Sequence, residues 1–260
     1  MDMTDAVSYA GALEMIGRTC GAVYPRSAAE GIQYGEAFGS GGGFLVWHYC
    51  GFAYLFGECD EGFLEQVYSS FLSPGISLPR RFVLFTDDKD TERFFREKEG
   101  LAFGKRYFFE YQQERAAELP QLPRGYSLRE LDGELLNSLS GRITPRFSWR
   151  DDRSFLDRGK GFCVMYHDEP AAWAFSAAVS ADETDIGVET SPEFRRKGLA
   201  AAAAARMTEY CLAQNKRPVW ACDASNAASR KLAEKLGFGI VSECTTVRRE
   251  AADTAGGSRV

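Results

Sequence analysis

The chain alternates between short apolar runs, which are typical of buried strands, and segments in which apolar residues recur at helical spacing. Helical spacing predicts an N-terminal helix over 3–20. Residues 25–43 lack a clear period and end in Gly-Ser-Gly-Gly-Gly, so we expect a loop that finishes in a flexible turn. The apolar and aromatic run 44–57 is long enough for two strands that turn at Cys50-Gly51.

The rest of the first half predicts a helix and then a strand–helix–strand unit. Phe63, Val67 and Phe71 form one stripe of the helix predicted over 61–72, which Pro74-Gly75 ends. The unit that follows has a strand over 81–85, a helix over 90–98 and a strand over 105–110. Residues 111–124 are rich in Gln, Glu and Pro, and we interpret them as a linker.

The second half has a longer series of elements. We predict a strand at 126–130, helical segments up to 139 and over 148–158, strands at 161–167, 171–179 and 185–190, a helix through the alanine run 200–205, a strand at 219–223 and a helix after 226. This order predicts an α/β protein with a first domain over 1–120 and a second over 125–250. The small, polar tail 251–260 is predicted to be disordered.

The two halves carry a faint echo of each other. Arg-Phe-Val-Leu-Phe-Thr-Asp at 81–87 parallels Arg-Pro-Val-Trp-Ala-Cys-Asp at 217–223. Glu-Lys-Glu-Gly-Leu at 97–101 parallels Glu-Lys-Leu-Gly-Phe at 234–238, after a one-residue gap. A repeated strand–helix–strand unit explains this echo, and so does chance matching, so both interpretations stay open.

The most informative stretch is the basic loop that precedes the alanine-rich helix. Arg195, Arg196 and Lys197 come directly before Gly198, in the loop that leads into the helix. The first N–H groups of a helix have no intrahelical partners, and the helix dipole adds positive charge there. Together with three basic side chains, this arrangement predicts a site for a phosphate or pyrophosphate. The glycine patterns of a dinucleotide fold and of a P-loop are both missing.

The loop reads Arg-x-x-Gly-x-Ala, and it resembles the pyrophosphate-binding signature of the GNAT superfamily of acyl-CoA N-acyltransferases. Asn-Ala-Ala-Ser at 226–229 and Leu-Ala-Glu-Lys-Leu-Gly-Phe at 232–238 follow at the distance that this superfamily shows. The resemblance covers roughly 125–250. It implies a mixed, mostly antiparallel central sheet flanked by helices, preceded by a smaller α/β domain that is either a degenerate GNAT-like half or unrelated.

The resemblance also implies a binding site for acetyl-CoA between the strands 185–190 and 219–223. Main-chain groups near Val188 and Thr190 are expected to pair with the pantetheine arm, and backbone N–H groups of the loop are expected to hold the pyrophosphate. The expected cofactor-binding residues are Val188, Thr190, Arg195, Arg196, Lys197, Gly198, Leu199, Ala200, Asn226 and Ser229. Asn226 is also suited to be the N-cap of the helix that follows, so two interpretations stay open for it: contact with the cofactor and capping of the helix.

The acid–base chemistry departs from the family pattern. Many GNAT enzymes have a Tyr where this chain has Ala233, and peptide alanine acetyltransferases have a Glu where it has Ala221. Asp185 and Glu189 are the remaining carboxylates on the cofactor strand. We nominate Glu189 as general base, because the resemblance places it next to the thioester, and an exposed strand carboxylate is the alternative interpretation.

Composition narrows the class of protein. The 260 residues carry a formal charge of −6, of which residues 1–120 contribute −7 and the rest +1. An acidic first half argues against a nucleic-acid partner, and it fits either a cationic acceptor or simply a solvated surface. Seven cysteines without a Cys-x-x-Cys pair indicate thiols in a reducing cytoplasm rather than disulfides or a metal site. Neither a signal peptide nor a membrane span is predicted.

These features predict an N-acetyltransferase that moves an acetyl group from acetyl-CoA to a primary amine of a small acceptor, by direct attack in a ternary complex. The first half is expected to form one wall of the acceptor pocket. A non-catalytic acyl-CoA-binding regulatory or sensor protein is the alternative. It stays open because Ala233 stands where many GNAT enzymes have a tyrosine. An interaction module built on the aromatic run 44–56 is a third and weaker interpretation, because that run has the pattern of a core.

Overall fold

A computed structural model describes Leu13, Ile16 and residues 21–40, 42–115 and 121–250. Strands from both halves of this part of the chain join in one eleven-stranded sheet. The predicted N-terminal helix over 3–20 lies almost entirely outside the described residues, and the tail 251–260 lies wholly outside them.

The strands are β1 (Gly35–Ser40), β2 (Gly43–His48), β3 (Phe52–Gly57), β4 (Val83–Thr86), β5 (Leu101–Tyr111), β6 (Tyr126–Glu130), β7 (Gly161–Tyr166), β8 (Glu169–Val179), β9 (Glu183–Thr190), β10 (Arg217–Asp223) and β11 (Phe238–Arg249). The α-helices are α1 (Val23–Ala29), α2 (Glu61–Val67), α3 (Lys89–Arg96), α4 (Gly133–Ser138), α5 (Asp152–Arg158), α6 (Leu199–Ala213) and α7 (Ala227–Lys235). The π-helical turn Tyr68–Leu72 extends α2, and short 3₁₀ turns precede α5 and α6. The mixed, mostly antiparallel sheet flanked by helices is therefore confirmed.

The prediction of a loop over 25–43 is wrong, because α1 and β1 lie there. The helix α1 is short and rich in small residues, so it carries little apolar period. Its close approach to the sheet depends on Gly35, where a Cβ atom would lie 2.5 Å from the Cβ of Ala28. The edge strand β1 pairs with β2 over its whole length through its backbone, which requires no apolar pattern.

The last strand of each half, β5 or β11, lies between two strands of the other half in the sheet. The strand order is β1-β2-β3-β4-β11-β5-β10-β9-β8-β7-β6, so β11 pairs with β4 and β5 pairs with β10. The two exchanged strands also pair with each other, antiparallel and almost end to end, from Phe238↔Tyr111 to Arg249↔Leu101. The division into domains at 1–120 and 125–250 stays a prediction, and the sheet runs through both ranges.

The same element order recurs on the two sides of this central pair. In each half two strands pair in parallel over three residues, β3 with β4 and β9 with β10. A helix connects the two strands, and a second helix leads from the later strand to the exchanged strand. The segments 81–87 and 217–223, which echo each other in sequence, contain the equivalent strands β4 and β10.

The sheet separates two layers. Phe103 and Phe109 lie six residues apart on β5 and therefore share a face; Phe103 packs with residues of α2 and α3, and Phe109 with residues of α6 and α7. We call this side the four-helix face. Phe108 points the other way and packs with residues of α1. On this second side, the α1 face, α4 and α5 cover the strands β7 and β8.

Candidate functional site

The strands β9 and β10 form a cleft because their pairing stops early. They pair in parallel only at Arg217↔Glu183, Pro218↔Thr184 and Val219↔Asp185. Beyond Asp185, β9 continues to Thr190 with β8 as its partner, and β10 continues to Asp223 with β5 as its partner. The facing edges of the two strands are therefore unpaired above a vertex at Asp185 and Val219.

The basic loop lies at the open end of this cleft. A 3₁₀ turn over Pro192–Phe194 brings the chain from β9 to Arg195, and Gly198 is the N-cap of α6. Arg196 and Gly198 have φ values of 62° and 76°, so the backbone is left-handed at both residues. Alternating backbone of this kind turns successive N–H groups toward one point, as in anion-binding nests.

The loop side chains leave room for a ligand. Apart from the residues next to it in the chain, a Cβ atom at Gly198 would have no heavy atom of the described residues within 4 Å. Arg195 and Arg196 are exposed and form no ion pair within the part of the chain that the structure describes. The Nζ atom of Lys197 donates to the hydroxyl of Tyr126 at 3.3 Å and lies 5.0 Å from the centroid of the Phe194 ring.

The next two residues have different surroundings. The side chain of Leu199 is buried in the core under α6, so only its backbone can contribute to the loop. Ala200 is half-buried. Ala201, Ala203 and Ala204 are fully or almost fully buried, and their small size lets α6 pack closely on β7, β8 and β9. The alanine run therefore fixes the helix start against the cleft.

Val188 and Thr190 lie on the open stretch of β9. They pair with Ala174 and Ala172 of β8 on one side, while the other edge of the strand faces the cleft without a strand partner. A free strand edge suits an extended ligand that forms backbone hydrogen bonds. Their predicted contacts with a pantetheine arm stay predictions.

Asn226 and Ser229 have visible structural roles. The Oδ1 atom of Asn226 accepts a hydrogen bond from the Ser229 amide at 3.1 Å, so Asn226 is the N-cap of α7. The Ser229 hydroxyl accepts a hydrogen bond from Nε1 of Trp220 at 3.0 Å and thereby ties α7 to β10. Contact of either residue with a cofactor stays a prediction.

Ala233, at the position of the missing tyrosine, is fully buried between α7 and the sheet. Ala221 is half-buried and packs against the cluster on the α1 face. Neither position carries an ionisable group, so any acid or base must come from another part of the site.

A buried carboxylate lies at the vertex of the cleft. Asp185 is 4% exposed and points to the α1 face, where the Tyr24 hydroxyl donates a hydrogen bond to its Oδ2 at 2.5 Å. Burial raises the pKa of Asp185 to about 6, although the hydrogen bond from Tyr24 and the positive charge of Arg106 lower it. A small cavity of about 60 Å³ is lined by Tyr24, Asp185 and Val219 among other residues.

Tyr24 is held by aromatic neighbours. Its ring makes edge contacts with Phe52 at 5.0 Å and with His48 at 5.2 Å, measured between ring centroids. Burial raises the pKa of Tyr24 well above 10, and the nearby Asp185 adds to this. Tyr24 and Asp185 are 161 residues apart, and no local sequence signal marks Tyr24 as part of a site.

Glu189 lies on the same face, four residues further along β9. Its Oε2 atom accepts a hydrogen bond from the Ile143 amide at 2.5 Å. The indole Nε1 of Trp173, which is opposite Glu189 in the sheet, donates to the Ile143 carbonyl at 2.8 Å. Glu189 therefore anchors the loop between α4 and α5. Its role as general base stays a prediction.

An open cavity of about 700 Å³ borders this loop and contains residues from both halves. Its lining residues are Tyr34, Tyr49, Cys50, Pro79, Arg80, Arg81, Arg142, Ile143, Arg146 and Phe147. Four of them are arginines, which come from two segments far apart in sequence. Sequence reasoning missed this cluster, because each arginine by itself is an ordinary surface residue. The expectation that the first half forms a wall of the acceptor pocket stays a prediction.

Within the described ranges, the structure contains no group of three or more His, Cys, Asp or Glu side chains arranged to hold a metal ion. Over the same residues, every helix is too short or too polar to cross a bilayer.

The raised pKa of Asp185 predicts a pH-dependent stability. A folded pKa of about 6, against an ordinary 3.8, means that the folded state favours the protonated acid and loses stability as pH rises from about 4 to about 6. Asp185→Asn keeps the shape and removes the charge. We expect the variant to be more stable than the wild type near pH 8, by up to about 3 kcal/mol, with a much smaller difference near pH 4.

Denaturant unfolding at the two pH values measures this effect. Asp168→Asn, in the exposed turn between β7 and β8, removes one charge at the surface and serves as the control. An equal difference at both pH values would show that Asp185 does not titrate as its burial indicates.

Comparison with known proteins agrees with this geometry. The Bacillus subtilis (strain 168) protein described as "Uncharacterized N-acetyltransferase YdfB" is 24% identical over 206 residues, which cover 78% of this chain and 79% of that one. Among solved structures, the GCN5-related N-acetyltransferase-like protein from Streptococcus suis 89/1591 has a TM-score of 0.74 at 22% identity, and covers 94% of this chain and 98% of its own. A tandem GNAT protein from the clavulanic acid biosynthesis pathway has a TM-score of 0.61 at 12% identity, with 97% and 98% covered.

These similarities support the fold. The decisive match is with the GNAT acetyltransferase family, whose pattern the chain follows over residues 37–247. That range begins in β1 and ends in β11, so it includes both halves of the sheet. The chain therefore belongs to the GNAT acetyltransferase family.

Proposed function

We propose that this protein is an N-acetyltransferase that moves an acetyl group from acetyl-CoA to the primary amine of a small acceptor. The observation that carries the proposal is the position of the basic loop, at the open end of the cleft between β9 and β10. A pyrophosphate at that loop would leave the free edge of β9 available for the extended arm of the same molecule.

The residues present fit an acyl-CoA. Left-handed backbone at Arg196 and Gly198, the first N–H groups of α6 and the unpaired arginines all favour a bulky anion. The open space at Gly198 lets such an anion approach the backbone. Bound acetyl-CoA supplies the acetyl group in the form of a reactive thioester.

The reaction has simple requirements. The neutral amine attacks the thioester carbonyl carbon; a C–N bond forms, the C–S bond breaks, and the thiolate leaves with the electron pair. The ammonium form of the amine must first give one proton to a base, and the second proton, which the nitrogen loses as the amide forms, must reach the departing sulfur. The products are an N-acetyl amide, the free thiol and one proton on the base, so the atoms and the charge balance without any further reagent.

Glu189 is our proposed base, since its carboxylate lies beside the cavity that Ile143 lines. Asp185 is the second carboxylate on this face and lies at the vertex, about 13 Å from Glu189 along an extended strand. A carboxylate that titrates near pH 6 is suited to accept a proton at neutral pH. Substitution of each residue in turn shows which of the two carboxylates is the base.

A non-catalytic acyl-CoA sensor is the alternative function. The specific observation in its favour is Ala233, which fills the usual position of the acid with a fully buried methyl group. Such a protein would bind acetyl-CoA and release no thiol with any amine. We further propose a reducing, cytoplasmic location, which is supported by the free thiols of Cys50, Cys59, Cys163, Cys211 and Cys222.

Gly198→Val tests the cofactor site. A β-branched residue at a φ of 76° is strained by about 1–2 kcal/mol, and its side chain would fill the space that we assign to the pyrophosphate. We expect a folded protein whose affinity for CoA falls below detection in calorimetric titration.

Gly75→Val is the matched control, since Gly75 has a φ of 84° and equally open space but lies in the turn after α2. The control should bind CoA like the wild type. An unchanged CoA affinity in folded Gly198→Val would remove the cofactor assignment.

Glu189→Gln and Asp185→Asn, which preserve shape, identify the base. Loss of a general base lowers kcat by about 100-fold or more, and we expect this loss in Glu189→Gln with an unchanged Kd for acetyl-CoA. Steady-state rates of thiol release across pH are the measurement. Wild-type rates in Glu189→Gln at every pH would exclude this residue. If Asp185 is the base, kcat/KM of the wild type falls as the pH drops through about 6. Asp185→Asn would then lack this acidic limb of the pH–rate profile.

A further inference from the structure

We propose that the acceptor carries an anionic group, a carboxylate or a phosphate, in addition to its amine, and that Arg81 with Arg142 binds this group. The inference rests on the proposed acyl transfer and adds the substrate class. It is carried by the geometry and charge balance of the 700 Å³ cavity on the α1 face.

Contacts with neighbouring residues fix the Arg81 guanidinium in an orientation in which it can bind an anion. The centre of its guanidinium lies 4.6 Å from the ring centroid of Phe147 and 4.9 Å from that of Phe52. Its Nε donates a hydrogen bond to the Cys50 carbonyl at 2.5 Å. A guanidinium has five N–H donors in a planar fork, so the four on its terminal nitrogens remain for a ligand. Carboxylates and phosphates match this fork with two parallel hydrogen bonds.

The remaining charges of the cavity leave Arg81 and Arg142 without counter-ions. Arg80 pairs with Glu36 at 2.5 Å, and Arg146 pairs with Asp152 at 2.6 Å. Arg81 and Arg142 have no carboxylate within 4 Å among the described residues. Two arginines in one cavity therefore carry uncompensated positive charge, and an anionic ligand would neutralise it.

The cavity borders the region where the amine must react. Its lining residue Ile143 donates its amide to Glu189, the proposed base. On the other side, the Phe52 ring contacts both the Arg81 guanidinium and the Tyr24 ring, and Tyr24 binds Asp185. An acceptor anchored at Arg81 by its anion would thus extend its amine along the cavity toward Ile143 and Glu189.

The cavity carries positive charge, whereas the net charge of the whole chain is negative. The acidic first half fits a cationic acceptor or a solvated surface, yet its contribution to this cavity is two arginines. Binding depends on groups within a Debye length of about 8–10 Å, so the nearby guanidinium groups outweigh acidic residues elsewhere on the surface.

Three amines with the same two-carbon spacer test the proposal: ethanolamine, β-alanine and O-phosphoethanolamine, which end in a hydroxyl, a carboxylate and a phosphate. Each is titrated calorimetrically into protein saturated with CoA, so that the basic loop is occupied, and each is assayed for thiol release with acetyl-CoA. We expect binding of at least one anionic amine and much weaker binding of ethanolamine. The better of the two anions distinguishes carboxylate from phosphate.

Arg81→Gln should raise the Kd or KM of the anionic amine by about 10- to 100-fold, because charge-assisted hydrogen bonds to its anionic group are lost. The KM for acetyl-CoA should stay unchanged. Arg81→Lys keeps the charge but lacks the fork, and it should recover only part of the affinity. Arg142→Gln should cause a smaller loss. Arg150→Gln is the control, because Arg150 lies 4.7 Å from the Tyr34 ring centroid, has no ion pair among the described residues and lies outside the cavity lining.

The outcomes separate this inference from the proposed function. Anion binding that depends on Arg81, without thiol release, would support the anion site and count against acyl transfer to these amines. Thiol release with ethanolamine as efficient as with the anionic amines, and unchanged in Arg81→Gln, would overturn the anion site while acyl transfer stands. Failure of both anionic amines to bind at millimolar concentration would also overturn it.

Discussion

The site depends on one constraint, the short parallel pairing of β9 with β10. Three residue pairs hold the two strands together, and above Asp185 each strand follows a different neighbour. The closed end provides a rigid vertex, and the open end provides a free strand edge and a helix start. A longer ladder would close the cleft, and no pairing at all would leave its two walls without a fixed relation. Every group that we assign to the reaction is positioned relative to this vertex.

The first half of the chain is part of that arrangement. The strand β5 supports β10 along the open cleft, and β11 lies between β4 and β5, so each half completes the sheet of the other. Tyr24 of α1 supplies the hydroxyl that meets Asp185 across the vertex. The cavity with the four arginines likewise contains Arg81 from the first half and Arg142 from the second. Exchange of the last strands therefore makes the two halves mutually dependent around one site.

Two kinds of electrostatic environment occur within this site. The basic loop and the arginine cavity are exposed, so their charges stay solvated until an anion replaces the water. Asp185 is buried, and its charge is opposed by the low polarity of its surroundings, which raises its pKa to about 6. A buried carboxylate that costs stability at neutral pH is common where chemistry requires one. The net charge of −6 describes neither environment.

The sequence by itself determined the features that depend on neighbours along the chain. Helical and strand periods predicted most elements from 44 onward, and Gly198 with its basic neighbours marked the loop, because backbone conformation and helix starts are local properties. The same reasoning missed α1 and β1, whose small residues and glycines carry no period. Only the tertiary structure decided the strand exchange, the meeting of Tyr24 with Asp185, the anchoring of Glu189 to Ile143 and the convergence of the arginines. These depend on contacts between residues far apart in the chain, such as the 161 positions between Tyr24 and Asp185, for which a single sequence contains no local signal.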